Sequence, residues 1–169
     1  MIVLLMGPAG SGKTTIGILL ATQLCWGFAD ADDFHSPANK EKMSRGLGLS
    51  DEDRIPWLQT IRNAMDQWLA ERRSVVLGCS ALKRSYREQL GVDANSRDLK
   101  LVYLKGSYRL KGSYRLLLER LRARKGHYAT EGLLTSQLAD LEEPTDSITI
   151  DVSRSPEQIV AEIREQLGV

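Results

Sequence analysis

A chain of 169 residues, 27% of them charged but with a formal net charge of only +1, is long enough to bury the core of one domain and too near neutrality to hold nucleic acid by bulk charge. No apolar run reaches the length of a membrane span, and the chain begins on its first predicted strand, so neither a membrane nor a leader is expected and a cytoplasmic location is. Two cysteines, Cys25 and Cys79, make no metal or redox spacing and are expected as reduced small core residues.

Residues 2–6 (Ile-Val-Leu-Leu-Met) predict a buried strand, and Ile16, Leu19, Leu20 and Leu24 predict the helix that follows. Between them Gly7-Pro8-Ala9-Gly10-Ser11-Gly12-Lys13-Thr14 fills every fixed position of G-x-x-x-x-G-K-[ST] in its required strand-turn-helix context. The glycines let the backbone curl so that successive N–H groups and the positive helix end face one anion. Gly7, Gly10, Ser11, Gly12, Lys13, Thr14 and the adjoining Thr15 are therefore the nucleotide-binding candidates. Lys13 brings a charge to the terminal phosphates, and Thr14 a hydroxyl to Mg²⁺.

Residues 28–35 read as a short strand running out into carboxylates. Ligands of an open parallel sheet gather beyond its carboxyl ends, where Asp32 and Asp33 would fall. Either could orient or deprotonate a substrate hydroxyl or hold a magnesium-bound water, and a solvated turn that caps the next helix is the competing reading. His35 is a further hydroxyl-binding candidate. With His127 the only other histidine, a histidine metal site is not expected.

Ser36-Pro37 starts a short helix that Gly46 is expected to stop, and Ser50 starts a second one whose apolar stripe runs through Trp57, Leu58, Ile61, Met65, Trp68 and Leu69. Together, over about 36–72, these helices resemble a substrate-covering insertion. Asn39, Lys42 and Arg54 are its ligand-facing candidates, with plain solvent exposure as the alternative for each; the two tryptophans read as core. Residues 74–79 give a third strand ending in Ser80, Lys83, Arg84 and Arg87, groups suited to an anionic or polyhydroxylated ligand or to a basic solvated helix face.

A fourth strand is predicted over 99–104. There Leu-Lys-Gly-Ser-Tyr-Arg at 104–109 is followed at once by an identical copy at 110–115. Six residues turn a helix by about 600°, which would misplace an apolar stripe, so the repeat is expected to loop out and the helix to begin after Gly112 with Ser113 as its cap. Arg120, Arg124 and His127 crowd the end of that helix. Arg120 and Arg124 share a face and could clamp ATP and the transferring phosphoryl group, although basic residues also suit any helix C-terminus. Leucines 133, 134, 138 and 141 outline a lid helix, within a lid region of about 120–140. A last strand at 147–152 and a Ser155 capping box complete the chain. The element order implies an α/β fold in three layers, a doubly wound parallel sheet of about five strands in one domain spanning 1–169. Read from residues alone, it supports phosphoryl transfer from ATP to a small hydroxylated acceptor.

The motifs also carry a resemblance. The phosphate loop, Asp-Ala-Asp-Asp-Phe-His at 30–35, Leu-Ser-Asp-Glu-Asp-Arg-Ile-Pro-Trp-Leu at 49–58, Cys-Ser-Ala-Leu-Lys-Arg-Ser-Tyr-Arg at 79–87, Arg-Lys-Gly-His-Tyr at 124–128 and Leu-Glu-Glu-Pro at 141–144 together resemble the gluconokinase family of small P-loop kinases, in the shikimate-kinase and nucleoside-monophosphate-kinase-like group. The likeness runs through essentially the whole chain. It implies phosphorylation of D-gluconate at the 6-hydroxyl by ATP with Mg²⁺. By the same analogy Lys13, Asp32 and Arg124 are catalytic, with Asp32 positioning or deprotonating the acceptor and touching the metal through water. His35, Arg54, Lys83, Arg87 and His127 belong to the gluconate pocket, and Arg120 and Arg124 lie over ATP. Kinases of this kind are often homodimers, so a second copy is a partner the resemblance allows. Pro8, which offers no N–H, and the tandem copy, whose removal would restore the family spacing, are the two departures. A kinase for another acceptor and an ATP-binding regulatory module without transfer activity are the rival readings.

Overall fold

The structure, a computed structural model, describes residues 1–45, 47–92, 96–106, 115, 117–119 and 131–169, the side chains of 131 and 133 excepted. Five strands, β1 (Ile2–Met6), β2 (Gly27–Asp30), β3 (Val75–Cys79), β4 (Leu99–Lys105) and β5 (Ile148–Asp151), form one parallel sheet in the order β2-β3-β1-β4-β5. The helices are α1 (Lys13–Leu24), α2 (Pro37–Ser44), α3 (Asp51–Ala70), α4 (Arg84–Gln89), α5 (Glu131–Ala139) and α6 (Pro156–Leu167), with a 3-10 turn at Ala31–Phe34. This is the expected three-layer, doubly wound arrangement.

All five residues of β1 are buried, and their alternation feeds two cores. Ile2, Leu4 and Met6 pack with Trp57, Leu58, Ile61 and Met65 of α3 on one face. Val3 and Leu5 pack with Ile16 and Leu20 of α1 and with Ile159, Val160 and Ile163 of α6 on the other. A strand covered on both faces reads as an unbroken apolar run, which is how β1 and β3 stand in the sequence.

The helix starts follow the cap residues. Ser36 accepts from the Asn39 N–H, and Ser50 and Ser155 each complete a reciprocal capping box, with Asp53 and Gln158 respectively. Three expectations are corrected. The second strand stops at Asp30, and the carboxylates beyond it stand in a 3-10 turn because the Asp30 side chain accepts from the Asp32 N–H. Cys25 is exposed: it takes φ +56° to end α1, which turns its side chain outward, whereas Cys79 is buried as expected. The fourth strand reaches Lys105, one residue further into the repeat. Residues 115 and 117–119 are helical, but the rest of the tandem copy, the proposed Ser113 cap and the Gly46 stop lie outside the described residues. Among the described residues no helix is long and apolar enough to cross a membrane.

Candidate active site

The order β2-β3-β1-β4-β5 puts β1 between β3 and β4, so the loop that leaves β1 opens at the point where the winding reverses. The segments after β1, β2 and β3 therefore meet at one edge of the sheet. Burial of the Cys79 side chain at the end of β3 pushes its thiol up to about 12, and the same group feels the charges of Asp32, Lys13 and Asp30. That thiol is inert at neutral pH, and the three charged groups are its neighbours.

Gly10 and Gly12 take φ +80° and +98°, conformations that glycine adopts without strain. A Cβ at Gly10 would stand 2.9 Å from the Leu117 carbonyl oxygen, so the short helical stretch at 117–119 lies directly against the loop. Lys13 Nζ donates to the carbonyls of Gly7 at 2.8 Å and Pro8 at 3.0 Å, which folds the ammonium over the loop mouth. Ser11 is fully buried beneath it, while Thr15 is exposed in the first turn of α1. The Ala9 N–H donates to Gln137 Oε1 of α5 at 2.6 Å.

Thr14 Oγ1 donates to Asp30 Oδ2 at 3.0 Å, and Asp30 Oδ1 accepts from the Asp32 N–H at 3.1 Å. One carboxylate thus ties the phosphate loop to the acidic turn. The sequence pattern points to Asp32 and Asp33; what distinguishes Asp30 is that the last residue of the strand, not the residues beyond it, lies beside α1. The turn is pinned from behind as well. Trp57, expected only as core, is buried and donates Nε1–H to the Ala31 carbonyl at 2.8 Å. His35 stacks on that indole with ring centroids 4.5 Å apart. Burial first, then Lys40 and Arg54, hold the His35 imidazole at a pKa of about 4, so it is neutral, and its buried Nδ1 has no hydrogen-bond partner among the described residues. Lys42 pairs with Asp53, and Asn39 Nδ2 donates to the Asp53 carbonyl at 2.9 Å; both brace the α2–α3 pair.

A second group forms where α3 meets α4. Arg54 Nη1 donates to the Tyr86 hydroxyl at 2.9 Å, and that hydroxyl donates to Asp51 Oδ1. Lys83 Nζ donates to both Asp51 oxygens, at 2.9 and 3.0 Å. These bonds from Tyr86 and Lys83 hold the Asp51 carboxyl below its ordinary range, and the bond to Asp51 raises Lys83. Arg54 and Lys83 also lie 5.6 and 5.5 Å from the Tyr86 ring centroid, so two cations share one aromatic wall. Arg87 does not join them. It is buried, and its Nη1 donates at 2.9 Å to the carbonyls of both Ala81 and Leu82, satisfying a turn in which Ala81 takes φ +43°. Arg120, Arg124 and His127 lie outside the described residues.

A family model described as shikimate kinase matches residues 9–168. A probable gluconokinase of Dictyostelium discoideum is 44% identical over 174 residues, covering 96% of this chain and 84% of its own length. Among solved structures, a sugar kinase of a Janibacter species superposes with a TM-score of 0.85 at 38% identity, covering 99% of this chain and 94% of that one. A gluconokinase of Sinorhizobium meliloti does so with a TM-score of 0.78 at 38% identity, covering 98% and 90%.

Proposed function

The chain belongs to the gluconokinase family of P-loop kinases, and on that premise we propose that it transfers the terminal phosphoryl group of ATP to the 6-hydroxyl of D-gluconate, giving 6-phosphogluconate and ADP. The observation that carries this reading is the pair of cations on the Tyr86 wall, Arg54 and Lys83, standing on segments that reach the same sheet edge as a phosphate-binding loop. A kinase acceptor that is a polyol with a carboxylate needs that combination: cations for the carboxylate, and a carboxylate base at the hydroxyl end.

Phosphoryl transfer asks little covalent chemistry of a protein and much positioning. Backbone amides of the loop bind phosphate oxygens, and Lys13 moves from the Gly7 and Pro8 carbonyls to the terminal phosphates. Asp32 orients the acceptor hydroxyl and takes its proton. Asp30 keeps Asp32 in place through the turn and sets the rotamer of Thr14. Thr14 Oγ1 and Asp30 Oδ2, hard oxygens 3.0 Å apart beside the loop, suit a magnesium ion and would hold it, with Asp32 placed to reach it through water. Such an ion, when bound, neutralises charge on the transferring group. His35, neutral and buried against Trp57, supports the acidic turn, and Arg87 supports the wall after β3. Arg120 and Arg124 over ATP and His127 at the acceptor keep the roles that the resemblance implies, in a cytoplasmic enzyme.

The test is ADP release from MgATP across D-gluconate, other sugar acids, shikimate and nucleoside monophosphates. Turnover with gluconate, yielding 6-phosphogluconate, is expected. Turnover only with another acceptor would overturn the substrate, and ATP binding without any acceptor-dependent turnover would overturn the enzyme. Asp32→Asn should abolish transfer and spare ATP binding.

A further inference from the structure

Asp140, the residue directly after α5, stands between the two cations of the acceptor wall. Its Oδ2 is 3.8 Å from Arg54 Nη1 and its Oδ1 is 3.8 Å from Lys83 Nζ, one oxygen to each cation. Neither distance is that of a hydrogen bond, whereas Asp51 bonds Lys83 through both oxygens. Asp51, whose Oδ1 also lies 3.6 Å from Arg54 Nη1, is thus built into the wall, and among the described residues the Asp140 carboxylate meets the two cations at ion-pair distance only. A carboxylate spread across Arg54 and Lys83 is the arrangement in which a sugar-acid carboxylate would dock.

We propose that Asp140 is an intramolecular competitor for the acceptor's carboxylate: it holds that seat on Arg54 and Lys83, and an acceptor must displace it. The inference rests on the functional reading above. It also explains why the seat is linked to the donor side. Gln137 lies three residues before Asp140, in the last turn of α5, and its Oε1 accepts from the Ala9 N–H of the phosphate loop at 2.6 Å. Beyond Asp140 the chain is anchored: the Glu142 N–H donates to the Leu82 carbonyl at 3.0 Å, Glu142 Oε2 accepts from the Arg84 N–H, and Glu143 pairs with Lys105 at 2.7 Å. The last turn of α5 therefore pivots on a fixed end. Displacing Asp140 moves the turn that carries Gln137, so acceptor binding at one end changes what covers the loop amide at the other.

The experiment compares Asp140→Asn with the wild-type chain in steady-state turnover of D-gluconate. Wild-type turnover itself decides the functional reading; the ratio of the two KM values decides this one, measured with whichever carboxylate acceptor the wild type uses. Removing a partly exposed, screened competitor should lower KM about two- to fivefold with kcat within about twofold, and the gain should shrink in high salt. D-glucitol, the uncharged analogue, should inhibit both forms equally. Asp140→Glu, which keeps a competitor, should leave KM at or above the wild-type value, and Asp140→Ser repeats the test if the amide disturbs folding. An unchanged or raised KM in the Asn and Ser variants overturns the proposal, as does an equal gain for D-glucitol.

Discussion

Acid should unfold this chain partly through one buried imidazole. His35 is 8% exposed, stacked on Trp57, with Nδ1 unpartnered among the described residues and two cations, Lys40 and Arg54, adding to the cost of a proton. Its pKa in the folded chain is about 4 against an ordinary 6.5. The unfolded chain takes the proton first, so the contribution is fully present above pH 6.5 and is lost as pH falls through 6.5 toward 4. Each unit of difference is about 1.4 kcal/mol, and the part of the window between pH 7 and 5 amounts to about 2 kcal/mol. His35→Phe keeps a ring for the stack and cannot be protonated. Urea melts of both forms at pH 7 and pH 5 should show the wild type losing about 2 kcal/mol more than the variant across that interval. Two histidines in the whole chain make the companion measurement simple: one imidazole resonance should fail to titrate above pH 5. Equal losses in the two proteins, or two ordinary titrations, would mean that the imidazole is hydrated and that the stack does not bury it.

Three further outcomes follow from the turn and the loop. In Asp30→Asn the remaining carbonyl oxygen can still accept from the Asp32 N–H, so stability should change by no more than about 1 kcal/mol, while loss of the charge beside Thr14 should lower kcat about a hundredfold; a kcat within threefold of wild type would remove Asp30 from the site. Trp57→Phe retains the stack on His35 but strips the Ala31 carbonyl of its 2.8 Å donor, and should cost about 1–3 kcal/mol in a urea melt and lower kcat while leaving ATP affinity unchanged. Gly10→Ala adds a Cβ 2.9 Å from the Leu117 carbonyl oxygen at φ +80°, and should cost about 1–3 kcal/mol and reduce the rise in Tm that ATP produces; an undiminished rise would show that the helical stretch at 117–119 yields freely.

The parts of the fold legible in the sequence are those set by local chemistry. An apolar run buried on both faces, a loop whose glycines need positive φ, and serine caps three residues before their backbone donors each announce themselves within a dozen residues. The site was legible only as blocks. Residues 30–35 hold three carboxylates in four positions, and which of them meets Thr14 depends on where β2 stops, a matter settled by the Asp30 cap and the Trp57 bond to the turn. Arg87 and Lys83 carry the same charge at helical spacing, yet one satisfies two buried carbonyls and the other reaches Asp51 and the Tyr86 ring. Helical periodicity could not separate them, because the β3–α4 turn rather than the helix face selects the inward cation.

Asp140 and Gln137 were the least legible of all. Their i, i+3 spacing says that they lie close together at the end of α5, but not that one meets the phosphate loop and the other meets Arg54 and Lys83. That knowledge sits in contacts between residues some 38 to 128 positions apart, made only when β4, α5 and the turn after β3 have come together. A charge at the end of a helix that looks solvated in sequence is therefore placed beside both Arg54 and Lys83. The same long-range docking ties the chain just beyond that turn, through Glu142 and Glu143, to Arg84 and Lys105.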